Sequence, residues 1–429
     1  MAARVKVAVE DLAIRGGSPQ FAAPLHVGWP NIGNRERLRA RIDDMLDRRW
    51  LTNNGPFVQE LELQISHLLG VRHCIAVCNA TVALEIAARA LQLKGEVIVP
   101  SFTFIATAHA LHWQGITPVF CDVDPATHNL DPRRVEELVS SRTSGIVGVH
   151  VWGRPCAVEA LTDIAIAHRL RLMFDAAHAF ANSYKGRMIG GFGDVEVFSF
   201  HATKFFNTFE GGLIATNDDE LATKMHLMTN FGFEGYDRVI HLGTNGKMSE
   251  ISAAMGLTGL ESLQEFIGAN RENYQAYHAG LHGLPGIKLI QYDETERCNY
   301  QYVVLEVNEE EAGIDRDSLV DILHRENVLA RRYFYPGCHE MEPYRSRFPE
   351  VGLRLPETNR LTRRVMSLPT GTAVDGTAVA AICRIIELSI THSGRLRDAL
   401  RPAQDSHSSQ APPATQPSAG LPPLPLDHS

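Results

Sequence analysis

The sequence is short of the features that mark a stapled, membrane-bound or nucleic-acid-binding chain. Only seven cysteines stand among 429 residues, at 74, 78, 121, 156, 298, 338 and 383, with no CxxC pair and no metal-ligand spacing. Neither a disulfide framework nor a metal site is expected. No stretch approaches the roughly 18 uncharged apolar residues of a membrane span, and the N-terminal MAARVKVAVEDLAIRGG lacks the apolar core of a secretory signal. The chain is therefore expected to be soluble and cytoplasmic. Its 41 basic residues stand against 50 acidic ones, for a net charge of -9, and they are scattered where a nucleic-acid binder bunches them. No GxGxxG follows a strand-like run, and Gly243-Thr244-Asn245-Gly246-Lys247 lacks the full phosphate-loop spacing, so nicotinamide and ATP-loop chemistry are disfavoured.

What is present is enough apolar material, 44% of residues, for a core that needs no staples. Leu38, Ile42 and Leu46, then Phe57, Leu61, Ile65 and Leu69, mark two helices. From Gly70 to Asp175 short apolar runs alternate with helical ones: CIAVC, a helix over 81–93, EVIVP, a helix over 104–113, TPVFCDVD, a helix near 132–140, SGIVGVHV, a helix near 157–168, and LRLMFD. That alternation predicts βαβ units and a parallel sheet covered on both faces. Gly-rich turns and short strands follow, then a long helical region over 249–281, then a smaller α/β unit. The expected organisation is an N-terminal arm (1–30), a large domain (31–265), a small C-terminal domain (266–400) and a disordered Pro/Ser-rich tail (401–429).

Ligands of open α/β sheets sit beyond the carboxyl ends of the strands, which directs attention to four polar groups there. They are Asn79-Ala80-Thr81, Ser101-Phe102-Thr103-Phe104, Asp175-Ala176-Ala177-His178, and the run from Ser199 to Lys204. A carboxylate closing an apolar strand, as Asp175 does, is costly unless a cation or donor faces it; alone it also fits a turn cap. Lys204 is a solvated surface residue or, held in an apolar cleft, a depressed-pKa amine suited to Schiff-base formation. Thr81 opens a helix after a strand, a setting for a plain N-cap or for a phosphate. His109 and His112 lie three apart on a helix without a third ligand, and Met225, Met228 and Met248 read as packing.

The run DAAHAFANSYKGRMIGGFGDVEVFSFHATKFFNTFEGGLIATND, with GTNGKMSEISAAMGL, resembles the DegT/DnrJ/EryC1/StrS family of pyridoxal-phosphate-dependent sugar aminotransferases over roughly 25–390. The resemblance implies an α/β protein of the fold type I transferase class: a large domain with a mostly parallel seven-stranded sheet and a smaller C-terminal α/β domain. It implies pyridoxal 5'-phosphate as cofactor, with Lys204 as its Schiff-base lysine, Asp175 on the pyridine nitrogen and His178 near the phenolic oxygen. It further implies Phe104 stacked on the ring, Ala80, Thr81 and Ser199 around the phosphate, and Asn245 reaching that phosphate from the partner of a homodimer with shared active sites. The family usually has Gly where Ala80 stands. Trp29, Asn54, Lys185, Lys247, Tyr333 and His339 fall in stretches that face the sugar nucleotide in the family, and Lys247 replaces the more frequent Arg there, a point charge without a planar fork.

SFHATK followed by FEGG resembles members acting on 4-keto sugars. The implied activity moves an amino group from an amino-acid donor, L-glutamate, to C4 of a nucleotide-linked keto-deoxysugar such as a dTDP-4-keto-6-deoxyhexose. The alternatives are a sugar dehydratase, whose family members carry His at the position of Lys204, and a non-catalytic cofactor-binding sensor or scaffold.

Overall fold

The computed structural model describes residues 6–400. The expected tail lies outside them. The alternating apolar runs form a seven-stranded sheet: β1 (His73–Val77), β2 (Glu96–Pro100), β3 (Thr117–Cys121), β4 (Thr143–Val149), β5 (Arg171–Asp175), β6 (Val195–Ser199) and β7 (Gly212–Thr216), in the order β1-β7-β6-β5-β4-β2-β3. β7 runs antiparallel to both neighbours while the pairs β2-β3, β2-β4, β4-β5 and β5-β6 are parallel. Helices cover both faces, as continuous apolar strands require. Ala83, Leu84, Val99, Val197, Ile214 and Met225 pack on one face, and Leu61, Ile65, Phe198, Leu213, Ala253 and Leu257 on the other.

Capping residues account for where the helices begin. Asn34 accepts from the backbone N–H groups of Glu36 and Arg37, Asn79 from Val82, Asp218 from Leu221 and Asp375 from Ala378, each filling a donor that the first turn leaves free. The helical region read as continuous over 249–281 is two helices, Glu250–Glu261 and Leu263–Leu281, broken at Ser262. The first is buried along its length, and its Glu250 carboxylate caps Phe57 and Val58 at 2.9 Å each. The second carries Leu263 and Phe266 into the large core and Tyr277 and Leu281 into the small one. The expected border at 265/266 thus falls inside a helix that spans both bodies. Two helices were not among the expected elements: Asp219–Thr229, whose apolar periodicity is weak, and Pro356–Arg364, a short and mostly polar helix that buries Thr358, Leu361 and Thr362 on one side.

The smaller body is a three-stranded antiparallel sheet, β8 (Ile287–Leu289), β9 (Val303–Val307) and β10 (Val365–Leu368), backed by helices Arg316–Arg325 and Gly376–Thr391. The N-terminal arm belongs to it. Val9 and Leu12 sit in its core, and Leu25–His26 pairs in parallel with Val328–Leu329. Glu326 anchors the arm: its buried carboxylate accepts from the Ala13 and Gln20 amides at 2.6 and 2.7 Å and faces Lys6 Nζ at 3.2 Å. The arm then crosses to the loop after β6, where a Cβ at Gly28 would lie 2.8 Å from the Thr203 carbonyl oxygen.

Replacing Glu326 by Ala strands two amides and a buried ammonium together. Glu326→Ala is expected to cost about 3–5 kcal/mol of unfolding free energy, read from the denaturant midpoint.

Candidate active site

Register brings the strand ends together. Gly212, the first residue of β7, lies opposite both Val77 and Ser199, and Asp175 lies level with Val149 and Val197. The loop from 200 to 211 is closed by the Phe200 amide on the Gly211 carbonyl and the Thr208 amide on the Phe200 carbonyl, both at 2.9 Å. Phe200, Phe205 and Phe206 are buried around Phe180. These aromatic anchors flank Lys204, whose Nζ donates to the Tyr302 hydroxyl at 3.3 Å. Burial lowers the Lys204 amine to about 8, against the pull of Tyr333 and Asp175, so the neutral amine is far more accessible than in a solvated lysine.

Asp175 is buried at the end of β5. Its Oδ2 accepts from Thr107 Oγ1 at 2.8 Å and its Oδ1 from the Ala177 amide at 3.1 Å. Thr107 Oγ1 is in turn 3.0 Å from Thr103 Oγ1. Burial still pushes this carboxyl up, with Lys204 and His150 pulling the other way. A cation at the carboxylate would relieve that cost. His178 is buried beside Trp152 and Phe334, with its ring nearly parallel to both and 4.7 Å from the Tyr302 ring. Burial holds it well below the ordinary histidine value, so it is neutral. Its Nδ1 accepts from the Trp152 amide at 3.3 Å, which assigns the proton to Nε2.

Beside this pair lies an anion cradle. The helix Ala80–Ala90 starts directly after β1, and Asn79 claims the Val82 N–H, leaving the amides of Ala80 and Thr81. Ser199 ends β6 on the other side of Gly212. A Cβ at Gly212 would stand 2.7 Å from the Ala80 nitrogen and 2.8 Å from the Asn79 carbonyl carbon; glycine is what lets β7 enter between the two. Free amides at a positive helix end suit a phosphate, the buried carboxylate suits a pyridinium and the depressed amine suits an aldehyde. The residues fit pyridoxal phosphate.

The remaining expected residues are spread more widely. Phe104, 57% exposed, and Tyr333 line a cavity of about 450 Å³ with Arg331, Arg332 and Tyr335. Trp29 follows Gly28 in the segment docked on the lysine loop. His339 is buried with both ring nitrogens engaged, Nδ1 by Ser101 Oγ at 2.7 Å and Nε2 by Asn359 Oδ1 at 3.0 Å. It ties the small body to the end of β2. Lys185 is exposed and paired with Glu159 at 2.6 Å. Asn54 is exposed at the turn before helix Pro56–Leu69. Asn245 is exposed, its following residue held by the Cys78 amide on the Gly246 carbonyl at 2.7 Å, and Lys247 Nζ donates to Asn230 Oδ1 at 2.7 Å. Within the single chain, Lys185 and Lys247 make no contact with Lys204 or Asp175 among the described residues.

Thr107, Trp152 and Tyr302 are site residues that sequence reasoning missed. The one usable signal was the i,i+4 spacing of Thr103 and Thr107, which puts both hydroxyls on one side of a helical turn. His109 and His112 pack against Tyr344, and Met225, Met228 and Met248 are core. No cluster of potential metal ligands occurs among the described residues.

The DegT/DnrJ/EryC1/StrS aminotransferase family matches residues 33–387. The chain is 39% identical over 321 residues to a dTDP-4-amino-4,6-dideoxy-D-glucose transaminase of Shigella dysenteriae, covering 75% of this chain and 87% of that protein. It is 34% identical over 363 residues to the Escherichia coli transaminase of the same name, covering 84% and 97%. Among solved structures, DesI in the presence of its TDP-sugar product superposes with a TM-score of 0.86 at 48% identity, covering 91% of this chain and 99% of that one. A seven-stranded α/β body with a buried Asp and a desolvated Lys, matched along this length, leaves one assignment: the chain belongs to the DegT/DnrJ/EryC1/StrS aminotransferase family.

Proposed function

We propose that this pyridoxal-phosphate-dependent aminotransferase carries nitrogen from L-glutamate to C4 of a dTDP-4-keto-6-deoxyhexose. The observation that carries the reading is the Asp175–Lys204 pair, a buried carboxylate and a half-buried amine in one site, the amine held on the Tyr302 hydroxyl whose ring lies against His178. The sugar class follows the transaminases and DesI to which the chain is similar. When bound, pyridoxal phosphate supplies an aldehyde for the amine and an electron-poor ring that spreads the charge left by a departing α-proton. Asp175 would face the pyridine nitrogen and keep it protonated, and the Thr107 hydroxyl and Ala177 amide favour the ionised carboxylate against the effect of burial. His178, neutral and protonated on Nε2, donates toward the phenolic oxygen. With the cofactor bound, the Lys204 amine would carry the proton from the donor's α-carbon to the cofactor's C4′, work worth about 10² to 10⁴ in rate.

Ala80, Thr81 and Ser199 would hold the phosphate, and Phe104 would cover the ring. Trp29, Asn54, Lys185, Lys247, Tyr333 and the buried His339 border the space for the nucleotide sugar. The active unit in this reading is a homodimer whose partner brings Asn245 to the phosphate. The exposed apolar residues Phe231, Tyr236, Val239 and Leu242 near that loop support it, since a monomer rarely leaves such a patch open. The cytoplasm is the compartment proposed, in keeping with seven cysteines that are all free.

Incubation with glutamate and dTDP-4-keto-6-deoxyglucose is expected to yield a dTDP-amino sugar by mass spectrometry, from a protein that sediments as a dimer; a deoxygenated product without nitrogen would instead identify a dehydratase. Because the folded Lys204 value of about 8 lies below that of an ordinary lysine, its ammonium is lost as pH rises through that value. Cofactor uptake by the cofactor-free protein, followed by its visible absorbance, should accelerate up to about pH 8 and then level off, and Lys204→Ala should abolish turnover. Thr107→Val removes one hydrogen bond to an ionised group and is expected to lower kcat about tenfold or more.

A further inference from the structure

The peptide that follows the lysine is gripped from two directions. Phe205, next in the chain to Lys204, donates its amide to Gln301 Oε1 at 3.2 Å, and its carbonyl accepts from Asn31 Nδ2 at 2.9 Å. Gln301 comes from the segment leading into β9, Asn31 from the end of the N-terminal arm, and both are buried. Asn31 spends its other atoms on the same connection. Its carbonyl accepts from Asn207 Nδ2 at 2.9 Å, and its Oδ1 accepts from the Thr372 amide at 3.0 Å and the Thr372 hydroxyl at 2.9 Å. Tyr302, the neighbour of Gln301, receives the Lys204 amine.

We propose that Asn31 and Gln301 are positioning residues for Lys204: two side-chain amides register the lysine's backbone against the smaller body, whose Tyr302 receives its amine. Neither amide touches the lysine's Nζ, so they act through the backbone of Phe205. One step of the smaller body, Gln301-Tyr302, thereby fixes both ends of the lysine, and Thr372 carries the same registration through Asn31. The inference rests on Lys204 being the cofactor-bearing lysine. A shift of the smaller body that leaves the large sheet unchanged would still move the amine, because the lysine loop is bonded to both.

The test uses holoenzyme carrying Asn31→Asp, which loses the donor to Phe205 and keeps an acceptor for Thr372, or Gln301→Met, which keeps length without an acceptor. Two quantities are read: the pH midpoint of the visible band of the cofactor–lysine linkage, and kcat and KM for the sugar nucleotide. Both variants are expected to move the midpoint by about half a pH unit or more and to lower kcat about ten- to a hundredfold, with KM within about twofold of wild type. Thr372→Val, which trims only the hydroxyl bond to Asn31, should move both in the same direction by less, and it decides the matter if the other variants do not fold. A lower melting temperature with wild-type midpoint and kcat would overturn the proposal. A wild-type protein without a visible band dependent on Lys204 would instead strike the underlying assignment of the lysine.

Discussion

Two ionisable groups drawn out of water, Asp175 wholly and Lys204 in part, set the terms for the rest of the molecule. Burial raises the carboxyl and lowers the amine, so each group disfavours its own charged form and is held in place by neighbours that partly offset the cost. The sheet is arranged to supply those neighbours. Parallel strands deliver polar residues to one end, and the reversed β7 enters between β1 and β6 with Ala80 and Thr81 to one side of Gly212 and Ser199 to the other. Behind the site, His150, just past the end of β4, and Glu196 of β6 form a buried pair at 3.1 Å, and the His150 amide donates to the Asp175 carbonyl at 3.1 Å.

Much of this was legible in the sequence because it is local. Apolar runs of strand length alternating with helical periods mark β1 to β5, and a polar residue closing such a run marks Asp175. A resemblance then ranked Lys204 above the other lysines, a distinction that composition and periodicity do not make. The break at Ser262 was not legible, since the apolar pattern runs through it and Leu257 before it packs in the same core as Leu263 and Phe266 after it; the change from one core to the other comes later, between Phe266 and Tyr277.

The partners of the site were the least legible part. Thr107 meets Asp175 across 68 positions, Lys204 meets Tyr302 across 98, and Asn31 meets Phe205 across 174. Nothing in a window of residues reports such separations, because a threonine in a helix or a tyrosine before a strand satisfies its local role equally well without them. His339 illustrates the converse: a histidine in a polar, Pro-containing loop reads as exposed, yet tertiary packing buries it and engages both its nitrogens.

Gln301, Tyr302 and Thr372 lie far toward the C-terminus of the lysine they serve. As the polypeptide leaves the ribosome, its sheet strands emerge long before these three side chains do. The nascent large body therefore displays a lysine without its anchors, and the amine reaches its final setting only after the smaller body has been synthesised and has docked.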